Sequence, residues 1–289
     1  MGSLIKKTTP ELVWAKVIYE SCDSTCWSIR SAKSEDLIYV KDELMKGVNT
    51  KGQLLVAHMQ NQKLVKKPSL IRGNHSESRV INHFSWVPQG LENTQRMIWN
   101  MLNFFKEPAL YAFYYAILSN DQLMEKFYKA KASHHHHHDY EGGLLEHSFE
   151  VAMSAATLSQ QYQLNHNTTC ICFLAGFLHD IGKVKMYYNV SGPQGICGQH
   201  EAFSFMELAQ PLDALHKAAP ALFEALSGAL TAKVGLHQPL YLPETIVRMC
   251  DRLSAEIAQC RKAFEGMPDY FWYVKSESES RVYKRLGPM

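Results

Sequence analysis

TTCICFLAGFLHDIG, residues 168–182, is the stretch that decides the fold. Its long apolar run predicts a buried helix that begins with threonine caps and ends at Gly182. The last turn of this helix presents an imidazole and a carboxylate, from His179 and Asp180. Because a buried carboxylate is costly unless it is paired or bound to a cation, this doublet is a candidate pair of metal ligands.

Two other pieces of sequence could join the doublet. His147 lies in GLLEHSFEVAMSAATLSQQYQ, which predicts an amphipathic helix, and Asp251 lies in RMCDRLSAE within another predicted helix. Each residue alone is a weak indication, because a lone histidine on a helix is more often a hydrogen-bonded core residue than a ligand. The combined pattern, His…His-Asp…Asp, could bind one ion if the fold brings its members together.

This pattern resembles the signature of the HD superfamily of metal-dependent phosphohydrolases. The resemblance rests on His147, His179, Asp180 and Asp251, and it covers roughly residues 92–265, with FLHDIGKV as its most specific part. It implies an HD-domain helical bundle in which these four residues bind a divalent cation. The implied chemistry is metal-assisted phosphodiester hydrolysis, with Asp180 also among the catalytic residues.

A second motif precedes His147. Five consecutive histidines run into a glycine pair in HHHHHDYEGGLLEHS, residues 134–148. This segment is similar to a motif of the YhaM-type 3′→5′ exonucleases and to one of the HD domains of TraI-like (MobH-type) conjugative relaxases. The register aligns His137 and His138 with the paired histidines of those families, so the resemblance implies that both face the site. We therefore interpret the run as part of a motif rather than as a purification tag.

Three further residues complete the predicted site. The resemblance implies that His200 and His237 hold a second ion, bridged to the first by Asp180. Leu236 departs from the pattern, which has a histidine there. Lys183 is a candidate phosphate contact, or else a cation that stabilises the end of the helix.

The ligand types and the resemblance together predict the cofactor. Imidazole and carboxylate ligands suit transition metals better than Mg alone. We therefore predict that each chain binds about one or two divalent ions. Mn is the first candidate, and Fe, Co, Zn and Ni are the others. No P-loop and no Rossmann glycine pattern occurs in the sequence.

Two regions that differ in the spacing of their apolar residues predict the domain organisation. Residues 1–85 mix short apolar runs with turns, which predicts a small basic β-containing module, OB-like or winged-helix-like. Residues 90–289 show helical periodicity and predict the HD-type domain, with late helices at 201–210, 212–230 and 244–264. The fold class is therefore mainly α. The tail, YFWYVKSESESRVYKRL, predicts a hairpin or an edge segment whose aromatics pack on the protein rather than stack on bases.

Composition limits the function classes. The net charge is +2, with 13 Lys/Arg against 8 Asp/Glu in residues 1–90. This mild basic excess is more typical of a solvated surface than of a site for an anionic partner, although it is compatible with both. The seven cysteines have no disulfide pattern, and free thiols in the cytoplasm are expected. No apolar stretch reaches the ~18 residues that a membrane span needs, so no membrane partner is predicted.

The leading functional hypothesis is a 3′→5′ exonuclease acting on single-stranded RNA or DNA. The main alternative is a relaxase-like protein that binds or nicks DNA in conjugative transfer. Two others are a catalytically silent nucleic-acid-binding module and a nucleotide phosphohydrolase. The sequence distinguishes these hypotheses only in part, although the lack of a GYP motif after the doublet disfavours cyclic dinucleotides as substrates.

Overall fold

The chain divides into two compact units, Met1–Phe104 and Phe105–Met289. The computed structural model describes strands within residues 11–71 and, as complete stretches, residues 86–88, 90–133, 139–187, 200–231, 238–275 and 281–288. The domain boundaries expected from the sequence, 1–85 and 90–289, stay predictions.

The first unit contains an antiparallel sheet. Its strands are β1 (Glu11–Glu20), β2 (Thr25–Arg30), β3 (Glu35–Val40), β4 (Leu54–Gln60), β5 (Lys63–Leu64) and β6 (Ser69–Ile71). The order is β3-β2-β1-β4-β5, with β6 also paired to β4. The pairing of β1 with β2 shifts register between Val17 and Tyr19. These strands agree with the β-containing module predicted from sequence, and the OB-like and winged-helix-like alternatives stay predictions.

Helix α1 (Glu92–Asn100) and a 3₁₀ turn (Met101–Phe104) end the first unit. Ile98, Trp99 and Leu102 are buried. Their spacing of three and four positions places them on one face, as the helical periodicity of this segment predicts.

The second unit is mainly helical, which confirms the predicted fold class. Its elements are α2 (Pro108–Leu118), α3 (Asp121–Lys129), α4 (Gly143–Gln161), α5 (His166–Leu178), α6 (Lys183–Tyr187), α7 (His200–Glu207), α8 (Ala209–Ala218), α9 (Pro220–Leu230), α10 (Leu242–Phe264), β7 (Tyr273–Lys275) and β8 (Val282–Lys284). Within the described residues, none of the helices is both long and apolar enough to cross a membrane.

Helix α5 is the centre of the second unit. Every residue from Thr169 to Leu178 is buried, because α4, α9 and α10 surround it. The ring of Phe177 lies edge-on to Tyr114 at 5.8 Å and to Phe127 at 5.2 Å. Burial on all sides explains why the helix is apolar all round and has no polar face.

The beginning of α5 corrects one prediction. The threonines do not cap the helix; instead, the side chain of Asn165 accepts a hydrogen bond from the amide of Thr168 at 2.9 Å. Asparagine is as good an N-cap as threonine, so the helix begins slightly earlier than the apolar run suggests.

The prediction of one continuous helix over residues 212–230 is also wrong. It is interrupted at Ala219, whose backbone leaves the helical region with φ −151° and ψ 77°. Pro220 then begins α9. Because proline lacks an amide hydrogen and disfavours helical geometry in the residue before it, the segment forms two helices.

The tail forms the predicted hairpin. Strands β7 and β8 pair antiparallel, and Tyr283 is buried, with its hydroxyl 3.2 Å from Oε1 of Gln259 on α10. The prediction that the aromatics pack on the protein is nevertheless wrong for most of them. Tyr270, Phe271, Trp272 and Tyr273 are between 41% and 79% exposed.

Cys170, Cys172, Cys250 and Cys260 are free thiols. Cys170 and Cys172 are fully buried on α5, as the sequence predicted. Burial raises the pKa of both thiols to about 12, so they remain protonated and unreactive at neutral pH.

Candidate metal centre

Residues from four segments converge beside the end of α5. Nε2 of His147, on α4, lies 3.5 Å from Oδ2 of Asp180 and 3.1 Å from Oδ1 of Asp251, on α10. Nε2 of His179 lies 3.4 Å from the same two oxygens. His200, the first residue of α7, reaches the other oxygen of Asp180, with Nε2 3.0 Å from Oδ1. The five side chains therefore share one small volume.

A close approach of two helices brings His147 next to His179. A Cβ on Gly176 would lie 2.7 Å from Cα of Ala152, so glycine is needed where α5 crosses α4. Gly176 lies one turn before His179, and Ala152 lies about one turn after His147. The two imidazole rings consequently meet edge to face, 5.2 Å apart.

A second glycine fixes the position of α7. A Cβ on Gly182 would lie 2.0 Å from the carbonyl oxygen of His200 and 2.5 Å from the amide nitrogen of Ser204. The Gly182 amide donates a hydrogen bond to Oγ of Ser204 at 3.0 Å. The backbone after Asp180 thus packs directly against α7, which places His200 beside Asp180.

Hydrogen bonds on Nδ1 fix the tautomer of both central histidines. Nδ1 of His179 lies 2.7 Å from the carbonyl oxygen of Gly176, which can only accept, so this nitrogen carries the proton. Oγ of Ser254 donates to Glu150 at 3.1 Å and therefore accepts from Nδ1 of His147, also at 3.1 Å. In the neutral form, both rings direct a bare Nε2 into the cluster, as metal-binding histidines do.

The charges in the cluster oppose the cost of burial. Burial alone would lower the pKa of His179, but Asp180 and Asp251 raise it to about 10. Burial alone would raise the pKa of Asp180, yet His179 and Lys183 hold it well below its usual range. Burial alone would also raise the pKa of Asp251, but the imidazoles of His147 and His179 hold it well below its usual range. The charges on the imidazole of His179 and on Lys183 thus offset the buried carboxylate of Asp180 and the half-exposed carboxylate of Asp251.

The residues present fit a transition-metal ion. His147, His179 and Asp180 are buried, and each offers one ligand atom within 4.8 Å of the other two. Nε2 of His179 is buried and makes no hydrogen bond within the described residues, although two carboxylate oxygens lie 3.4 Å away. An imidazole nitrogen that faces carboxylate oxygens can exchange its proton for a shared cation of the Mn, Fe, Co or Zn type.

The two oxygens of Asp180 have different partners. Oδ2 faces His147 and His179 and accepts a 2.6 Å hydrogen bond from Nζ of Lys183, whereas Oδ1 faces His200. Such a carboxylate can bridge two cations. Lys183 lies beside the cluster and contacts the central carboxylate; its role as a phosphate contact stays a prediction.

The cluster opens to solvent on one side. The side chains of His147 and Asp180 are 2% and 5% exposed, whereas those of Asp251 and His200 are 44% and 31% exposed. A substrate phosphate could therefore approach past Asp251 and His200, while the buried ligands exclude water from behind.

Three predicted site residues, His137, His138 and His237, lie outside the described residues. Residues on either side of the histidine run are described: Nζ of Lys131 and Oδ1 of Asp139 form an ion pair at 2.9 Å. Further along, Gly142 takes φ +86° at the N-terminus of α4, a conformation that favours glycine. The glycine pair thus begins the helix that carries His147.

Sequence reasoning missed Glu150 and Ser254. Each lies three positions after a predicted ligand, Glu150 after His147 and Ser254 after Asp251. Residues three apart on a helix share a face, so this spacing could have identified both as supports of the site.

No curated protein and no solved structure matches the chain significantly. Residues 97–204 match the model of the TraI_2 family, which is described as a putative helicase. The matched span contains four of the converging residues, His147, His179, Asp180 and His200, and it ends before Asp251. This match links the chain to TraI-like proteins.

Proposed function

We propose that the chain is a metal-dependent phosphodiesterase that acts on nucleic acid. The observation that carries the proposal is the convergence of His147, His179, Asp180 and Asp251 around one position that the Nε2 atoms of both histidines face. An imidazole–carboxylate site that opens on one side is suited to hydrolysis, because a purely structural metal site is closed.

His147, His179, Asp180 and Asp251 would hold the first ion, and Asp180 with His200 would hold a second. A bound divalent ion supplies an activated water and positive charge next to the phosphate. The protein's own contribution is orientation: Ser254 and the Gly176 carbonyl hold the rings of His147 and His179 with Nε2 inward.

Lys183 would act on the substrate side. Its ammonium group lies 2.6 Å from Asp180 and its side chain is 18% exposed, so it can lie beside a phosphate at the same carboxylate. There it would neutralise the charge that develops on the phosphoryl oxygens. His137 and His138 stay candidates for a second phosphate contact through the motif resemblance alone.

Two arguments favour nucleic acid as the substrate. The resemblance to YhaM-type enzymes favours 3′→5′ degradation of single-stranded RNA or DNA. The basic residues of the N-terminal part favour a nucleic-acid-binding role for that part. Mn is the metal we propose first, in a site that Fe, Co, Zn or Ni could also occupy.

A relaxase-like activity is the second candidate function. The match of residues 97–204 to the TraI_2 family favours it. Its product would be one nick in a DNA strand rather than a ladder of shortened strands. We do not propose helicase activity for this chain, because its sequence contains no P-loop motif.

The deciding experiment uses the full chain, prepared without a purification tag and supplied with Mn. Single strands labelled at the 5′ end and a supercoiled plasmid with a transfer origin serve as substrates. A ladder supports the exonuclease, and a single nick supports the relaxase. Asp180→Ala should abolish either product, whereas Asp213→Ala should not, because Asp213 is an exposed partner of Lys217 on α8.

Two outcomes would overturn the proposal. If the wild type binds nucleic acid without cleaving it, the chain is a silent binding module. If only mononucleotides are hydrolysed, it is a nucleotide phosphohydrolase.

A further inference from the structure

Four consecutive aromatic residues line the surface beside the C-terminal hairpin. Tyr270, Phe271, Trp272 and Tyr273 are 79%, 41%, 58% and 51% exposed. Their rings form two neighbouring pairs, with centroids 5.2 Å apart for Tyr270 and Phe271 and 4.9 Å apart for Trp272 and Tyr273. Leaving four adjacent rings in water is costly, which marks the patch as a candidate interaction surface.

The hairpin has one buried and one open face. Tyr273 pairs with Lys284 and Lys275 with Val282, so these four residues share a face. All four are exposed, whereas Tyr283 on the opposite face is buried near Gln259 of α10. We call residues Tyr270–Lys275 with Val282–Lys284 the aromatic platform.

Basic side chains accompany the rings. Four cations, Lys275, Arg281, Lys284 and Arg285, lie on or next to the two strands, and the segment between the strands also contains Glu277 and Glu279. Arg281 pairs with Glu256, and Arg285 donates to the carbonyl oxygens of Pro268 and Phe271. Lys284 and Lys275 are the cations left on the open face, and Nζ of Lys284 lies 5.5 Å from the centre of the Trp272 ring.

We propose that the aromatic platform binds single-stranded nucleic acid by stacking bases on Trp272 and Tyr273, with Lys275 and Lys284 beside the phosphates. Exposed rings interleaved with cations match an unpaired strand, which offers base faces and a negative backbone. A duplex hides its base faces and could use only the cations. The choice of nucleic acid as the occupant rests on the proposed function.

The position of the platform fits a substrate strand that reaches the metal centre. Both Asp251 and Gln259, the contact of Tyr283, lie on α10, and a helix rises about 1.5 Å per residue, so they are about 12 Å apart along the axis.

The test measures binding to the full chain by fluorescence anisotropy of a labelled oligothymidine. The double variant Trp272→Ala/Tyr273→Ala should bind at least about tenfold more weakly, since one stacked base contributes a factor of that order. Trp272→Phe, which retains a ring, should bind nearly as the wild type does. Tyr162→Ala removes an aromatic side chain that is 71% exposed elsewhere and should leave binding unchanged.

Four results would overturn the proposal. The first is unchanged binding by the double variant with an intact circular dichroism spectrum, the second is an equal loss in Tyr162→Ala, and the third is equal affinity of the wild type for a duplex of the same length. The fourth is self-association that the double variant abolishes without any loss of oligothymidine binding, which would assign the surface to a second copy of the chain.

A separate readout distinguishes failure of the platform from failure of the metal centre. Hydrolysis of bis(4-nitrophenyl) phosphate with Mn needs the metal site but no base stacking. The double variant should keep the wild-type rate on this small phosphodiester. If the wild type binds oligothymidine through the platform but hydrolyses neither substrate, the proposed function fails and the binding surface stands.

Discussion

Nε2 of His147 and Oδ1 of Asp251 lie 3.1 Å apart although their helices, α4 and α10, are far apart in the chain. Both atoms face the doublet His179-Asp180 at the end of α5. Since one buried and one half-exposed carboxylate meet the inward-facing Nε2 atoms of two histidines there, the core of the second unit is arranged around a position that a cation stabilises.

The hydroxyl of Ser254 should control metal affinity. Ser254→Ala removes the group that accepts the proton of Nδ1 on His147, so the ring is held less firmly and we expect about 10- to 100-fold weaker metal binding. Titration calorimetry with Mn measures the change. Ser227→Ala is the matched control, because the Ser227 hydroxyl is buried without a hydrogen-bond partner among the described residues. Equal affinities in both variants would rule out the positioning role.

Metal binding should release protons. In the metal-free protein, Asp180 and Asp251 raise the pKa of His179 to about 10, so its ring carries a second proton at neutral pH. A metal needs the bare Nε2, so each binding event should displace about one proton, and affinity should fall as the pH falls. Calorimetry in two buffers with different ionisation enthalpies measures the number. Binding that is independent of pH between 6.5 and 10 would contradict the account.

The stability of the metal-free protein should depend on pH in a defined direction. Because the folded-state pKa of His179 is raised from 6.5 to about 10, its stabilising contribution is complete below pH 6.5 and is lost as the pH rises towards 10. Urea unfolding should show this decline in the wild type and a smaller one in His179→Gln. An identical pH dependence in the two proteins would assign the decline to other groups.

Gly182 should not tolerate a side chain. Gly182→Ala places a Cβ 2.0 Å from the His200 carbonyl oxygen, so α7 must move, at a cost of about 1–3 kcal/mol in the free energy of unfolding. The control, Gly228→Ala on α9, meets its nearest atom at 3.9 Å and should stabilise its helix by up to about 1 kcal/mol. Chemical denaturation of both variants checks the opposite signs, and two changes of the same sign would refute the steric argument.

Lys183 should matter for turnover and not for metal retention. Lys183→Gln removes the ammonium group 2.6 Å from Asp180, which frees this carboxylate for the metal but removes a positive charge next to the substrate. We expect about tenfold or more loss in kcat with unchanged or tighter Mn binding. Lys185→Gln, whose lysine pairs with Glu207 instead, is the control. A loss of Mn binding in Lys183→Gln would point to a structural role.

The apolar run predicted the central helix, and burial makes the polar pair at its end conspicuous. The expectation that His147, Asp251 and His200 join this pair came from the family resemblance, because no local pattern connects such distant residues. It did not predict the contact between Gly176 and Ala152, since a backbone approach between helices depends on tertiary geometry. Pro220 marks the break at Ala219 in the sequence. We nevertheless predicted one helix over residues 212–230, because the apolar residues on both sides of the proline follow helical spacing.

The exposed aromatics show a different limit. The alternation of apolar and polar residues in the tail predicted the hairpin, and the same pattern led us to expect that its aromatic rings pack on the protein. Of these rings, only that of Tyr283 is buried. Which face of an isolated two-stranded hairpin meets a helix depends on α10 and its residues Glu256 and Gln259. Local sequence contains no information on that contact.

The most direct test of the central claim is the metal content of protein prepared without a purification tag and equilibrated with Mn. The wild type should retain about one or two ions per chain after desalting, whereas Asp251→Ala and His147→Ala should retain close to none, and Asp213→Ala should match the wild type. A wild type that retains no metal, or an Asp251→Ala variant that retains as much as the wild type, would contradict the account.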